Sequence, residues 1–178
     1  MVLLHLPSEL RTQRLLLQRL KYEDAEEMFY TYASKPEATR FMAWPTHQSL
    51  EDTRAYLYYA RDAWEKSLDF SYAIRLADSG RLIGSIGVIN DDGKVQFGYI
   101  LSPTQWGQGY ATEACVAVVN TLKAIPSIHR IWTFADAENI ASIRVLQKSG
   151  LVQEARLEKW FRFINQNNDP KDCVIFRV

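Results

Sequence analysis

Two glycines one residue apart, Gly107 and Gly109, stand between a strand-like run that ends in YIL and an alanine-rich segment that begins YATEA. A helix that starts directly after a strand has unpaired backbone N–H groups in its first turn, and these carry a partial positive charge. Because glycine lets a ligand approach the backbone closely, the amides from Gly107 to Thr112 could hold a phosphate or pyrophosphate. A tight strand-to-helix turn would need the same glycines, and spacing alone favours neither interpretation.

The glycine spacing differs from that of the common phosphate loops. It does not continue as GxGxxG into a dinucleotide-binding unit with an acidic residue about 20 residues further on. It also lacks the GK[ST] ending of a P-loop. A nicotinamide-dependent dehydrogenase and a nucleotide hydrolase are therefore disfavoured.

Asn139 and Ser142 are a second polar pair, three residues apart near the start of a predicted helix. Residues at this spacing share one face of a helix, so both side chains could enter the same cleft, although helix capping would also explain them. The two cysteines, Cys115 and Cys173, are far apart and have no CxxC or Cys/His context, so we expect reduced thiols, no metal site and no cysteine nucleophile.

The elements that must position these residues follow from hydrophobic periodicity and turn signals. A strand (12–20), a helix (22–34) and a second helix capped by Ser49 precede three antiparallel strands separated by DSGR and DDGK. A helix from Tyr110 to Ile125, a strand HRIWTFA, a helix closed by Gly150 and two terminal strands complete the chain. This order predicts an α/β (α+β) domain with helices on both faces of a mixed sheet, in which VQFGYIL and HRIWTFA are parallel.

Composition limits the partners of the protein. The 178 residues contain 21 Lys and Arg against 21 Asp and Glu, so no net charge draws the chain to nucleic acid or to an acidic membrane. No segment has the pattern of a signal peptide or a membrane span, and no linker divides the chain. We expect one domain over residues 1–178, a cytoplasmic location, and a monomer or homodimer.

The segment WGQGYATEA resembles the acetyl-CoA signature of the GCN5-related N-acetyltransferase (GNAT) family, in which Gln/Arg-x-x-Gly-x-Gly/Ala is the pattern. Gly109 and Ala111 occupy its later positions, and Trp106 stands where Gln or Arg is usual, as in the branch of the ribosomal-protein alanine N-acetyltransferases (RimJ/RimL-like). Other segments of that branch follow in order along nearly the whole chain: TQRLLLQRL, FMAWPTHQSLEDTRAYL, LIGSIGVI, FGYILSP, ENIASIRVLQKSGL and DCVIFRV.

The resemblance implies a GNAT fold with a mostly antiparallel sheet of about seven strands, in which a parallel pair splays apart to admit acetyl-CoA. It implies that backbone groups of Ile100 and Leu101 bind the pantetheine, and that Asn139 contacts the cofactor. Ser142 is the candidate that protonates the departing thiolate. The implied pyrophosphate-binding segment consists of Trp106, Gly107, Gln108, Gly109, Tyr110, Ala111 and Thr112.

The acceptor side is less fully specified by the resemblance. Several relatives carry a glutamate just before the FGY-like segment, where this chain has Gln96, which cannot take a proton, so another group or water must act as base. Phe41 and Trp44 are the aromatic residues expected to touch an amine acceptor, either a protein N-terminus or a small molecule. Alternatives are a non-catalytic acyl-CoA-binding or sensing module, which Gln96 keeps open, and a nucleotide-phosphate binder.

Overall fold

One eight-stranded sheet forms the centre of a computed structural model, which describes residues 2–178. Its strands run in the order β1-β2-β3-β4-β5-β6-β8-β7. Their bounds are Glu9–Arg11 (β1), Leu15–Arg19 (β2), Asp69–Leu76 (β3), Leu82–Asp91 (β4), Lys94–Leu101 (β5), Arg130–Asp136 (β6), Val152–Arg162 (β7) and Pro170–Arg177 (β8). Within this described part, only β5 and β6 pair in parallel, which confirms the predicted mixed sheet.

Turn chemistry fixes the antiparallel meander from β3 to β5. In the β4–β5 hairpin, Asp92 and Gly93 have φ values of 52° and 87°, a left-handed pair that suits an Asp-Gly turn. The predicted hairpins are thus confirmed. The sheet has one strand more than the seven expected, because the three-residue strand β1 is too short to give an alternating pattern of its own.

The helices are short in the first part of the chain and longer in the rest. A 3₁₀ turn (Tyr22–Asp24), α1 (Ala25–Met28), a π-helical turn (Phe29–Ala33) and α2 (Pro36–Thr39) precede α3 (Leu50–Glu65). A further 3₁₀ turn (Pro103–Gln105), α4 (Tyr110–Lys123) and α5 (Ile140–Lys148) follow the meander. Ser49 and Asp52 form the predicted capping box of α3, and Gly150, with φ 85°, follows the end of α5.

The prediction of a single helix over residues 22–34 is wrong, because the segment is divided into a 3₁₀ turn, a short α-helix and a π-helical turn. The amide of Lys21 donates to Asp24 Oδ2 at 2.9 Å, which closes a separate 3₁₀ turn. Further on, the amide of Ser34 donates to the carbonyl of Phe29 at 3.2 Å, five residues back, and this bond makes the last turn π-helical. The aromatic spacing of the segment predicts a regular helix because hydrophobic periodicity contains no information about individual hydrogen bonds.

The sheet separates two apolar cores. Buried residues of α4 and α5, among them Cys115, Val118 and Leu146, pack with Phe97 and Leu101 on one face. Residues of α1 and α3, such as Met28 and Leu57, pack on the other face, which we call the α3 face; the first we call the α4 face. Helices on both faces are as predicted. No helix among residues 2–178 is long and apolar enough to cross a membrane.

Candidate functional site

The parallel strands β5 and β6 stay together over a short distance only. Their register runs from Lys94 opposite Arg130 to Gln96 opposite Trp132. At the next position the Thr133 hydroxyl donates to the carbonyl of Phe97 at 2.6 Å, and no strand pairing between the two continues beyond that point in the described chain. The strands therefore separate into a V-shaped opening, as the family resemblance implies.

A cavity of about 310 Å³ occupies this opening and reaches both faces of the sheet. Tyr99, Asn139 and Ser142 line it on the α4 face. Gln96, Gly98 and residues of the segment between α2 and α3 line it on the α3 face. Two molecules approaching from opposite faces could therefore meet at the gap between the strands.

The backbone of β5 offers hydrogen-bonding groups to the gap at every second residue. Since the Phe97 carbonyl faces β6, the backbone groups of Tyr99 and Leu101 point the same way. The Ile100 carbonyl instead lies against Gly84 on β4. The Ile100 backbone therefore faces β4 and not the gap, although the Ile100 side chain lines the cavity.

Gly107 and Gly109 precede α4 with φ values of 75° and 81°. This left-handed backbone by itself favours glycine, which supports the interpretation of the segment as a tight turn. The structure also supports the interpretation that these amides bind an anion. None of the backbone N–H groups from Gly107 to Thr112 has an acceptor within residues 2–178. Successive free amides at the start of a 14-residue helix form a site suited to an anion.

The side chains of this loop have structural partners. Trp106 is 52% exposed, and its Nε1 donates to the carbonyl of Leu101 at 3.2 Å, which ties the loop to the end of β5. Ala111 is buried in the core on the α4 face. The loop residues 106–112 do not line the cavity but begin a few residues after the end of β5.

Arg14, which the sequence analysis did not single out, lies beside the glycine loop. Its Nη1 donates to the Gln108 carbonyl at 2.9 Å, and its guanidinium lies over the Tyr110 ring, 4.5 Å from the ring centroid. Glu113 accepts from Arg14 Nε at 2.7 Å and from the Thr12 hydroxyl at 2.6 Å. We call these contacts the joint between β2 and α4. No sequence pattern predicts them, because they connect the start of β2 to a helix about a hundred residues later.

Asn139 and Ser142 occupy the first turn of α5. The Asn139 carboxamide oxygen accepts from the Ser142 amide at 3.2 Å, so Asn139 is the N-cap of α5 as well as a cavity-lining residue. The Tyr99 hydroxyl, not considered from the sequence, donates to Ser142 Oγ at 3.2 Å. Burial raises the pKa of Tyr99, which keeps this hydroxyl protonated.

Phe41, Trp44 and Gln96, the residues expected on the acceptor side, all line the cavity. The segment that carries the two aromatic residues is held by Asn165, in the loop between β7 and β8. Its Nδ2 donates to the carbonyls of Thr39 and Trp44 at 2.7 and 2.9 Å, and its Oδ1 accepts from the Thr46 amide at 3.0 Å. These hydrogen bonds of Asn165 were not predictable from the sequence.

Both cysteines are free and buried. Burial raises the pKa of Cys115 to about 12 and that of Cys173 to about 11, so neither is a thiolate near neutral pH. Over residues 2–178 no group of His, Cys, Asp and Glu side chains has the arrangement of a metal site. Both thiols therefore lie in the packed interior of the described chain.

The chain was compared with known proteins. A family model described as an acetyltransferase (GNAT) domain matches residues 14–152. The chain is 27% identical over 172 residues to an uncharacterized N-acetyltransferase, YoaA, of Bacillus subtilis (strain 168), with 95% of each chain covered. Among solved structures it resembles the microcin C7 self-immunity acetyltransferase MccE in complex with acetyl-CoA and AMP (TM-score 0.87, 18% identity, 97% of each chain). It also resembles the ribosomal-protein-S5-alanine acetyltransferase of Vibrio fischeri (TM-score 0.82, 17% identity, 96% and 95% of the chains).

Proposed function

Because the chain belongs to the GNAT acetyltransferase family, we propose that it is an acetyl-CoA-dependent N-acetyltransferase, with residues 1–178 as one catalytic domain. The observation that carries this proposal is the splayed edge of β5, which leads from a cavity open to both faces of the sheet to the free amides of the glycine loop. A long, partly peptide-like ligand with a pyrophosphate group would find matching hydrogen-bond donors along this whole path.

The residues present fit that cofactor, which supplies an acetyl group activated as a thioester. The unpaired amides from Gly107 to Thr112 would hold the pyrophosphate, with Trp106, Gln108 and Tyr110 keeping the loop in place. Backbone groups of Tyr99 and Leu101 would bind the pantetheine as an additional strand. Asn139 would contact it from the start of α5.

Ser142 would hold a proton at the position of the departing sulfur. Since Tyr99 donates to Ser142 Oγ, the hydrogen of the serine hydroxyl is left free to point elsewhere, and the cavity lies beside it. A protonated hydroxyl placed at a leaving group lowers the barrier by general acid catalysis or hydrogen bonding. No cysteine takes part, so the acetyl group would pass directly to the acceptor.

The acceptor would be a primary amine that enters from the α3 face between Phe41, Trp44 and Gln96. The proposal includes two classes of acceptor. One is a protein N-terminus, and the other is a small amine such as a polyamine, an aminoglycoside or an amino-acid derivative. We also propose a cytoplasmic location, since both cysteines are unpaired, and a monomer or homodimer.

Thermal unfolding of the full chain with acetyl-CoA, CoA or ATP tests the cofactor assignment. Acetyl-CoA at about 100 times its Kd should add roughly 2.7 kcal/mol to the free energy of unfolding, and ATP should add much less. Replacing Gly107 by Val should remove the stabilisation, because a side chain at the loop would keep a phosphate from the amides. Absence of any shift with millimolar acetyl-CoA would refute the assignment.

A matched control separates backbone strain from ligand exclusion. Gly80, in the β3–β4 turn, has φ 70° and, like Gly107, nothing within 4 Å of an added Cβ. Gly80→Val should therefore lower the melting temperature as Gly107→Val does while the response to acetyl-CoA is kept. An amine panel with acetyl-CoA then distinguishes a transferase from a sensing module, which would bind the cofactor and acetylate none of the amines.

A further inference from the structure

A buried carboxylate, Asp69, lines the α3-face part of the cavity. The residue is 7% exposed, and its Oδ1 accepts from the Ser71 hydroxyl at 2.9 Å. The Tyr56 hydroxyl in turn lies 2.9 Å from Ser71 Oγ. No Lys, Arg or His of residues 2–178 forms an ion pair with Asp69, so its charge is compensated by hydroxyl groups alone. Such a group in a cavity calls for a ligand that carries a positive charge or an acidic proton.

Two glycines clear the path from Asp69 to the gap between β5 and β6. Ser71 pairs with Gly87 on β4, and Gly87 pairs with Gly98 on β5. A Cβ added at Gly87 would lie 3.8 Å from Asp69 Oδ1, and one added at Gly98 would meet nothing within 4 Å. Neighbouring strands are about 4.8 Å apart, so Asp69 on β3 is two strand spacings from β5, a distance that a short chain of water molecules above the two glycines bridges.

The charges around the cavity favour an ammonium group. Its lining includes the carboxylates of Asp69 and Asp136 and no Lys or Arg among the described residues. Asp136 is satisfied, since its oxygens accept from the Gln166 side chain and the Glu138 amide. Burial lowers the pKa of His47, which keeps this imidazole from adding positive charge. The remaining titratable groups that face Asp69 are the phenols of Tyr56 and Tyr59 on α3, with Tyr99 at the far side of the gap.

We propose that Asp69 accepts the proton of the acceptor amine through water above Gly87 and Gly98, and so takes the part that Gln96 cannot. This inference rests on the proposed acetyltransferase function and adds its missing base. The proton moves from the ammonium nitrogen through the water to the carboxylate, which leaves a neutral amine and a neutral Asp69. The aspartic acid then returns the proton to solvent before the next turnover.

The basicity of Asp69 suits this step. Burial raises its pKa, against hydrogen bonds from Ser71 and Tyr59 that act to lower it. A carboxylate with a raised pKa is a better proton acceptor near neutral pH than an exposed one. Because only the ionised form accepts a proton, the rate should fall as pH drops through the pKa of Asp69.

The test compares wild type and Asp69→Asn over pH, with 2-phenylethylamine and a peptide bearing a free alanine N-terminus as acceptors. We expect kcat of the variant at pH 7 to be roughly 10²- to 10³-fold lower and its acid limb to move up to the pKa of the amine, so that the rate follows the free amine alone. Asp69→Glu should restore part of the rate and bring the acid limb back to lower pH. The rise in melting temperature with acetyl-CoA should be unchanged in both variants.

Tyr59→Phe gives a second readout that does not depend on deleting the carboxylate. Tyr59 is 54% exposed, so this change is mild, and it removes a phenol hydroxyl whose interaction with Asp69 acts to lower the pKa of that carboxyl. The acid limb should therefore move to higher pH. Asp136→Asn is the matched control for a buried carboxylate in the same cavity, and it should leave the position of the limb unmoved.

The outcomes separate the two proposals. An Asp69→Asn enzyme that keeps the wild-type pH profile, or a limb that Tyr59→Phe does not move, overturns the role of Asp69 while the acetyltransferase function stands. A wild-type protein that is not stabilised by acetyl-CoA overturns the proposed function itself. If both probe amines stay unmodified although acetyl-CoA binds, the proton-acceptor role is also refuted, because an apolar cavity with a free carboxylate should accept at least one of them.

Discussion

At the scale of single residues, the proposed leaving-group side of the cavity depends on the hydrogen-bonded pair Tyr99 and Ser142. Ser142→Ala should lower kcat by roughly 10- to 1,000-fold with acetyl-CoA binding retained, because a proton donor at the sulfur is lost. Tyr99→Phe should cost less, roughly 5- to 10-fold, because it removes one hydrogen bond that orients the serine. Steady-state kcat and melting curves with acetyl-CoA measure both effects, and full kcat in Ser142→Ala with chemistry rate-limiting would exclude the serine.

The sequence predicts some of the residues that line the cavity and not others. The spacing of Ser142 and Asn139 and the positions of Phe41, Trp44 and Gln96 in a resembled pattern predict five residues that do line the cavity. Tyr99 and Asp69 also line it but are not predicted, although strand alternation holds a partial signal: Asp69 and Ser71 are polar at the alternate positions of a strand whose other positions are Phe70 and Tyr72. Alternation cannot tell, however, that Gly87 and Gly98 leave those polar groups uncovered, because this depends on the register of three strands.

At the scale of elements, the joint between β2 and α4 should control the glycine loop. Partial burial acts to raise the pKa of Glu113, but hydrogen bonds from Thr12 and from the backbone and side chain of Arg14 outweigh it, and the pKa is lowered. A carboxylate with a lowered pKa stabilises the fold above its unfolded-state pKa, and the contribution is lost as pH falls through the folded-state pKa.

Glu113→Gln should therefore lower the free energy of unfolding by on the order of 1–3 kcal/mol at pH 7. The difference from wild type should shrink below about pH 4, where the unfolded-state carboxyl protonates. Denaturant unfolding at several pH values measures it. Glu154→Gln, which removes a surface ion pair with Arg130, is the control and should have a smaller effect. Equal effects of the two variants would mean that the joint adds nothing beyond a surface pair.

Local chemistry explains which elements the sequence predicts. The hairpin turns, the capping box at Ser49 and the glycine after α5 all act within a few residues, and each was found. The broken first helix and the fastening of residues 39–46 by Asn165 depend on single hydrogen bonds or on contacts over more than a hundred residues, and neither leaves a local pattern.

At the scale of the whole molecule, the cavity reaches both faces of the sheet, so the proposed donor and acceptor would approach from opposite faces and meet at one gap. The α4 face presents Ser142 and Tyr99 to the cavity and the α3 face presents Trp44 and Asp69, while the strands between them carry no side chain at Gly98. Both cysteines are buried and neither lines the cavity, so neither thiol is positioned to hold the acetyl group between two half-reactions. Under the proposed function, both substrates would therefore be bound before transfer.

Sequential kinetics should follow from that arrangement. Initial rates measured over a grid of acetyl-CoA and amine concentrations should give intersecting rather than parallel lines in double-reciprocal plots. Mass spectrometry of the protein incubated with acetyl-CoA alone should detect no acetylated cysteine, and Cys115→Ala and Cys173→Ala should change stability rather than mechanism, since each leaves a space in a packed core. Parallel lines, together with an acetyl-cysteine that transfers its group to the amine at the rate of turnover, would instead require one of these thiols to leave the core and become ionised.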